Sequence, residues 1–387
     1  MSVGGPARVA VVGVHGHGRS HLRTVRSLAA QGRATLAAVV DPRPLAGSEL
    51  AAGDGDGPLV PDGTPWYADL DDLLAADPPD VVVLVTPIHT HLPLATAAML
   101  AGSDVLLEKP TAASLDEHVR LVAVAAGTGR RCQVGFQTFG SGALDELTRV
   151  VASGELGDVD VVGAVGTWVR TSAYYARSRW AGRRVLDGVP VVDGVVTNPL
   201  AHAVASALKA AGATRADDVV DVETDLWHAH PIEADDTSSV VVTLAGGRRV
   251  AAGLTLCAPE RTPATVVVNG SLGRATLRYE LDELDVVSPR GERTVHATRT
   301  DLLEDLLEAR LDPSARLRCD VADTGAFMAV LDAVRAAPDP RPIAPEHVTW
   351  VDEGPEAHPV VDDVARWCAR VAAEAATFTA LAAPWTP

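Results

Sequence analysis

RVAVVGVHGHGRSH, residues Arg8–His21, is the stretch on which the fold assignment turns. Val9–Val12 is a continuous apolar run rich in β-branched residues, the pattern of a strand covered on both faces. Glycines 13, 16 and 18 then break the run, and SHLRTVRSLAAQG follows with helical spacing and a closing glycine, Gly32. A strand, a glycine turn and a helix bring backbone close enough to cradle a pyrophosphate at the helix N-terminus. The full pattern is Gly-x-Gly-x-x-Gly. Here Gly13 and Gly18 take the outer slots, while His15 holds the second and Gly16 is displaced by one. His15 and His17 therefore sit where phosphates would lie. Asp41 ends the next strand, ATLAAVVD, where an acid bonds the adenosine ribose hydroxyls and repels a 2′-phosphate. That favours NAD over NADP, a preference that neighbouring Arg43 softens.

The same rhythm continues outward. DVVVLVTP (80–87), DVLLEKP (104–110) and RCQVGFQ (131–137) read as three more apolar strands, with DLDDLLAADPP, LPLATAAMLAG and SLDEHVRLVAVAAGTG as the helices between. Apolar strands alternating with helices predict a doubly wound parallel sheet. After Gln137 the pattern changes. ALDELTRVVASGELG and NPLAHAVASALKAAG are helical, and residues 219–288 are mostly strands with hairpin signals at Gly246-Gly247 and Gly270-Ser271. The fold class expected is a Rossmann domain over residues 1–137 and an α+β domain over 138–387. The second has a large, mostly antiparallel open sheet and C-terminal helices, the last from Val361 to about Leu381. Pro338–Pro359 reads as a surface loop.

At 387 residues and 47% hydrophobic, the chain can fill two cores. Its net charge of −18 repels phosphate backbones and argues against a nucleic-acid partner. No apolar run matches a membrane span, and the start lacks a signal-peptide core. Cys132, Cys257, Cys319 and Cys368 form no CxxC pair, as expected of free thiols in a reducing cytoplasm. Histidines 15, 17, 21, 89, 91, 228 and 230 invite a metal reading. They fall on separate predicted loops without convergent ligands, so no metal is expected.

Thr86-Pro87 and Glu108-Lys109-Pro110 end the third and fourth parallel strands, the edge where open α/β sheets bind ligands. A lysine held there and partly desolvated can act as acid or base near neutral pH. Taken in order, VAVVGVHGHGRSH, VVDP, VTPIHTHLPLATAAMLAGSDVLLEKP and VGFQ resemble the Gfo/Idh/MocA family of nucleotide-dependent sugar and cyclitol oxidoreductases. The resemblance implies that Lys109 is catalytic or orients the substrate, and that Thr86, Pro87, His91, Glu108 and Gln137 join the cofactor site. It further implies a cis Lys109–Pro110 bond and homodimers or homotetramers formed through the second-domain sheet.

The family's second signature, roughly D-x-G-x-H-x-x-D, has its nearest match in TNPLAHAVA. Asn198 takes the first acid's slot, Leu200 the glycine's, His202 the histidine's and Ala205 the last acid's. The resemblance makes His202 an acid/base group and Asn198 a ligand for a hydroxyl or for the imidazole, with both carboxylates lost. Between the motifs, WVRTSAYYARSRWAGRR (168–184) gathers aromatics and arginines, suited to stacking on sugar rings and donating to hydroxyls or carboxylates. Tyr175, Arg177 and Trp180 are the expected substrate contacts. The implied activity is NAD-dependent oxidation or reduction of a hydroxyl-bearing carbon in a sugar, glycoside or cyclitol. A redox-neutral glycosidase or lyase acting through a transient keto-sugar would use the same residues. A non-catalytic NAD(P)-binding sensor is the alternative that the missing acids favour.

Overall fold

The computed structural model describes residues 5–45, 50, 57–191, 193–312 and 314–387. The chain divides into two compact units. In the first, β1 (Ala7–Val12), β2 (Ala34–Val40), β3 (Trp66–Tyr67), β4 (Val81–Leu84), β5 (Asp104–Leu107) and β6 (Cys132–Val134) form one sheet in the order β3-β2-β1-β4-β5-β6. Every pairing in it is parallel. Val9–Val12 and Val81–Leu84 are buried on both faces, which is why these segments carry no polar alternation. The order reverses between β1 and β4. In sheets of this kind ligands bind outside the carboxyl ends of the strands at such a reversal.

The expected boundary after residue 137 needs one correction. Thr300–Val321 returns to the first unit, so the C-terminal part is not contiguous. Long-range polar contacts account for the return. Arg310 pairs with Asp80 and Asp104, Arg33 with Glu304, and the Gln133 side chain bonds Leu302, Asp305 and Cys319.

The second unit is built on nine strands. They are β7 (Val161–Thr167), β10 (Val219–His228), β11 (Thr237–Leu244), β12 (Arg249–Thr255), β13 (Thr265–Gly270), β14 (Gly273–Arg278), β15 (Glu283–Ser288), β16 (Gly291–His296) and β17 (Arg341–Pro342). β8 (Val185–Leu186) and β9 (Val189–Pro190) form a separate short pair. The order is β16-β15-β14-β13-β7-β12-β11-β10-β17, antiparallel except where β7 meets β12 and β10 meets β17. Both hairpin signals are correct: Gly246-Gly247 joins β11 to β12, and Gly270-Ser271 joins β13 to β14.

Alternation decides which face each residue serves. Val266, Val268, Ala275, Leu277, Leu284 and Val286 are buried, while the residues between them carry polar groups such as Arg278, paired with Glu283 and Asp285. Across β10, β11 and β12, Trp227, Val241 and Ala251 form a core with Val364, Cys368, Val371, Phe378 and Trp385 from the C-terminal segment. That half of the sheet is therefore covered by the chain's own last helix, Val364–Glu374, which is shorter than expected. Pro338–Pro359 is not simply a loop. It contains β17 and β18 (Val348–Val351), and β18 pairs with β19 (His358–Val361).

Candidate functional site

The glycine loop is shaped by two close approaches. Gly13 has φ +82°, and a Cβ on it would lie 2.3 Å from the Val85 carbonyl oxygen. A Cβ on Gly18 would lie 2.0 Å from the Gly13 oxygen, so any larger residue forces the helix Gly18–Ala30 away from β1. The result is a helix N-terminus packed against the strand end, with Gly16 turning between them at φ +69°. At the end of β2, Asp41 is 3% exposed and accepts from the Val14 amide at 3.2 Å. Its other oxygen accepts from the Arg43 amide at 3.0 Å and the Arg43 Nε at 3.2 Å. Burial alone would raise the Asp41 carboxyl, but these Arg43 bonds hold it below the usual range. Trp66, missed by sequence reading, donates from its indole to the Asp41 carbonyl at 3.1 Å and lies at the same corner.

The ends of β4 and β5 are fastened to each other. His91 is buried, with Nδ1 2.9 Å from the Pro110 carbonyl and Nε2 2.9 Å from the Thr86 carbonyl. Its imidazole is therefore turned toward backbone and clamps the two loops, a positioning arrangement rather than a surface offered to a ligand. Burial pulls its pKa down against the bonds to the carbonyls. Thr90 donates to the Thr86 hydroxyl at 2.7 Å, and the Lys109–Pro110 bond is cis.

Glu108 explains the charge beside that lysine. Its Oε1 lies 2.8 Å from His21 Nε2 and 3.4 Å from His17 Nε2. The sequence reading kept these histidines apart from any convergent ligand; the structure brings His17, His21 and Glu108 within 4.8 Å of one another. The spacing His17–His21 puts both on one face of the first helical turn, a signal available in the sequence. Burial would raise the Glu108 carboxyl, yet bonds from His17 and His21 drive it well below the carboxylate range. The hydrogen bond to Glu108 in turn raises His17 above 6.5. Gly135, also missed, is where a Cβ would meet the Glu108 carboxylate at 2.8 Å.

The second unit carries the other predicted residues. His202 lies in the first turn of the helix Ala201–Ala210, with Asn198 one turn ahead. Sequence register left this motif without its acids, but Asp193 restores one from five residues upstream of Asn198. Asp193 Oδ1 accepts from Asn198 Nδ2 at 2.5 Å, and Oδ2 accepts from the Gly182 amide at 2.8 Å. It thereby fastens the aromatic–arginine segment to the His202 motif. Gln137 opens this unit, in a 3-10 turn to Gly140.

Within that segment Trp180 is 38% exposed and Arg177 is exposed. Tyr175 turns inward: its ring is 4.6 Å from the His230 ring and its hydroxyl is buried, raising its pKa by desolvation. Tyr174 takes the outward place, with Arg177 3.5 Å and Arg170 4.7 Å from its ring centroid. Behind Tyr175, His230 Nδ1 is 2.9 Å from Asp236 Oδ2 and 3.6 Å from Cys257 Sγ, all three fully buried. Both His230 ring nitrogens face acceptors, the second being the Arg170 carbonyl at 3.0 Å. This cluster binds sheet, loop and short helix together. All four cysteines are buried free thiols.

A parallel sheet with a glycine-bounded helix start and an acid at the end of β2 defines a dinucleotide-binding domain. Residues 7–136, about a third of the chain, match the family model described as "Oxidoreductase family, NAD-binding Rossmann fold". Inositol 2-dehydrogenase 1 of Saccharopolyspora erythraea is 36% identical over 159 residues, 41% of this chain and 45% of that protein. An inositol 2-dehydrogenase of Rhodococcus erythropolis is 34% identical over 158 residues, 41% and 43% of the two chains. The matches thus span less than half of these relatives' length. Among solved structures, an oxidoreductase domain protein from Kribbella flavida has a TM-score of 0.70 at 21% identity, covering 85% of this chain and 96% of that one. The WlbA dehydrogenase from Bordetella pertussis, solved with NADH and UDP-GlcNAcA, gives 0.67 at 22%, covering 85% and 95%. These likenesses extend the fold agreement across both units.

Proposed function

We propose that the protein is an NAD-dependent dehydrogenase that acts on a CH–OH carbon of a sugar, glycoside or cyclitol. The observation that carries this reading is the pair of glycine approaches at Gly13 and Gly18, a cradle whose space only glycines leave open. The inositol 2-dehydrogenase relatives support the substrate class. Gly13, Gly16 and Gly18 with His15 and His17 would hold the pyrophosphate, and Asp41 the adenosine ribose, with Arg43 at its side. The low-lying Asp41 charge favours NAD over NADP. Thr86, Pro87 and Glu108 would border the nicotinamide end, with His91 holding their loops, and Gln137 is proposed as a further cofactor ligand. The nucleotide, when bound, accepts or supplies the hydride.

The chain's own task is the proton. Lys109 or His202 takes the hydroxyl proton during oxidation and returns it during reduction. Asn198, its amide fixed by Asp193, holds a neighbouring hydroxyl. No helix of the described residues is long and apolar enough to cross a membrane. For association with a second copy, the sheet has left β13–β16, the part not covered by Val364–Glu374.

The test pairs binding with turnover. NADH should bind the purified protein with a fluorescence change. Lys109→Ala should keep that binding and lose about 10²–10⁴-fold in turnover of the best polyol or aldose from a panel. Equal turnover by Lys109→Ala would remove Lys109 from the reaction, and absence of NADH binding would end the dehydrogenase reading altogether.

A further inference from the structure

We infer that the substrate is anionic, its charged group held by Arg170 and Arg177, whose guanidiniums both stack against the Tyr174 ring. The inference rests on the dehydrogenase reading and narrows its substrate class. It begins with a local excess of charge. In a chain of net charge −18, Trp168–Arg184 carries five arginines and no acid.

Three of those arginines are already committed. Arg179 pairs with Asp187 at 3.2 Å, and Arg183 pairs with Glu233. Arg184 pairs with Asp339 at 3.6 Å and donates to the carbonyls of Val334, Arg335 and Ala337 at a helix C-terminus. Arg170 and Arg177 differ. Each donates to one backbone carbonyl, Val169 and Tyr174 respectively, and otherwise meets only rings. Arg170 lies 5.1 Å from the Trp168 centroid and 4.7 Å from Tyr174; Arg177 lies 3.5 Å from Tyr174 and 4.8 Å from Trp180. Neither has a carboxylate partner among the described residues, and the Arg170 Nε is buried without a hydrogen bond.

Desolvating a guanidinium without an anion is costly, and aromatic faces offset only part of that cost. What stacking does supply is orientation. A guanidinium fixed against a ring presents its remaining N–H groups as a planar fork, matched to a carboxylate or phosphate. The fork is also tied to the chemistry. Gly182 of this segment donates to Asp193, which holds Asn198, one turn before His202. Trp180 adds an exposed indole for the apolar face of a sugar ring. A neutral polyol would use the indole and leave both guanidiniums to water. A sugar acid or a sugar phosphate uses all of it.

The experiment compares D-glucose, D-glucuronate and D-glucose 6-phosphate as ligands of the intact, NADH-loaded protein, by calorimetry and tryptophan fluorescence at low and high salt. At least one charged sugar should bind about tenfold more tightly than glucose, and the margin should shrink with salt. The carboxylate and phosphate arms tell which anion the fork takes. Arg177→Gln should abolish the margin, Arg177→Lys should keep part of it, and NADH affinity should stay unchanged in both. A wild-type protein that binds neither charged sugar more tightly than glucose overturns the inference, as does a charge preference that survives in Arg177→Gln. In either case unaltered NADH binding leaves the dehydrogenase reading standing.

Discussion

Glu108 with His17 and His21, and Asp236 with His230, are the same chemistry in two settings. In the first unit the carboxylate sits at a strand end and one of its imidazoles, His17, has a side chain 60% exposed. In the second, imidazole and carboxylate are 1% and 0% exposed, and a thiol and a tyrosine ring close over them. Burial opposes both carboxylates, and bonds from histidine overcome it in both, so each is held below its usual range. Electrostatic perturbation alone therefore does not mark a site. Access does. The pair that solvent can reach stands at the strand end, whereas the sealed pair ties β10 to the loop that carries the aromatic segment.

Removing one partner of the sealed pair should give the largest effect. Asp236→Ala leaves His230 beside an apolar hole and unbonds the Ala229 and His230 amides. The expected loss is about 3–5 kcal/mol of stability, read from the urea midpoint, with NADH affinity of the folded fraction unchanged. A variant as stable as the parent would mean that the sealed pair contributes nothing and the contrast between the two settings is void. Gly18→Ala ranks next. Its methyl group meets a carbonyl 2.0 Å away, so about 1–3 kcal/mol should appear as weaker NADH binding and a lower melting temperature. Unaltered NADH affinity would show that the helix start can shift without consequence, against the cradle argument.

The sequence carried the first unit better than the second for a physical reason. Its strands are short apolar runs that need no knowledge of their partners, and the glycine turn and the Glu108-Lys109-Pro110 corner are local in the chain. β3, two residues long, has no such pattern, and the return of Thr300–Val321 depends on ion pairs such as Arg310 with Asp80, 230 residues apart. In the second unit the hairpins were legible from their glycines. The carboxylate behind Asn198 was not, because Asp193 lies outside the motif's spacing and reaches Asn198 only through the bend between them. The inward turn of Tyr175 and outward turn of Tyr174 were hidden for a similar reason. Adjacent aromatics look alike until the packing against His230 selects one of them.

The smallest effect tests the open pair by pH. His17 is raised from 6.5 by Glu108, so its contribution is complete below about pH 6.5 and lost as pH rises through the higher folded value. Glu108 is depressed from 4.5, so its contribution is present above about pH 4.5 and lost as pH falls toward the folded value. The attraction between them therefore operates in the window bounded below by Glu108 and above by His17. Because His17 is largely exposed, solvent screening should keep its share under about 1 kcal/mol. Urea midpoints of the parent and His17→Ala should differ near pH 6 and converge near pH 9, values on the order of those bounds. The same series on Asp236→Ala should show a deficit persisting across that whole range, since the missing bonds to the Ala229 and His230 amides do not depend on a charge on His17. A His17→Ala difference that grows with pH would reverse the sign required of an imidazolium held by Glu108, and with it the assignment of that pair as the open counterpart of the sealed one.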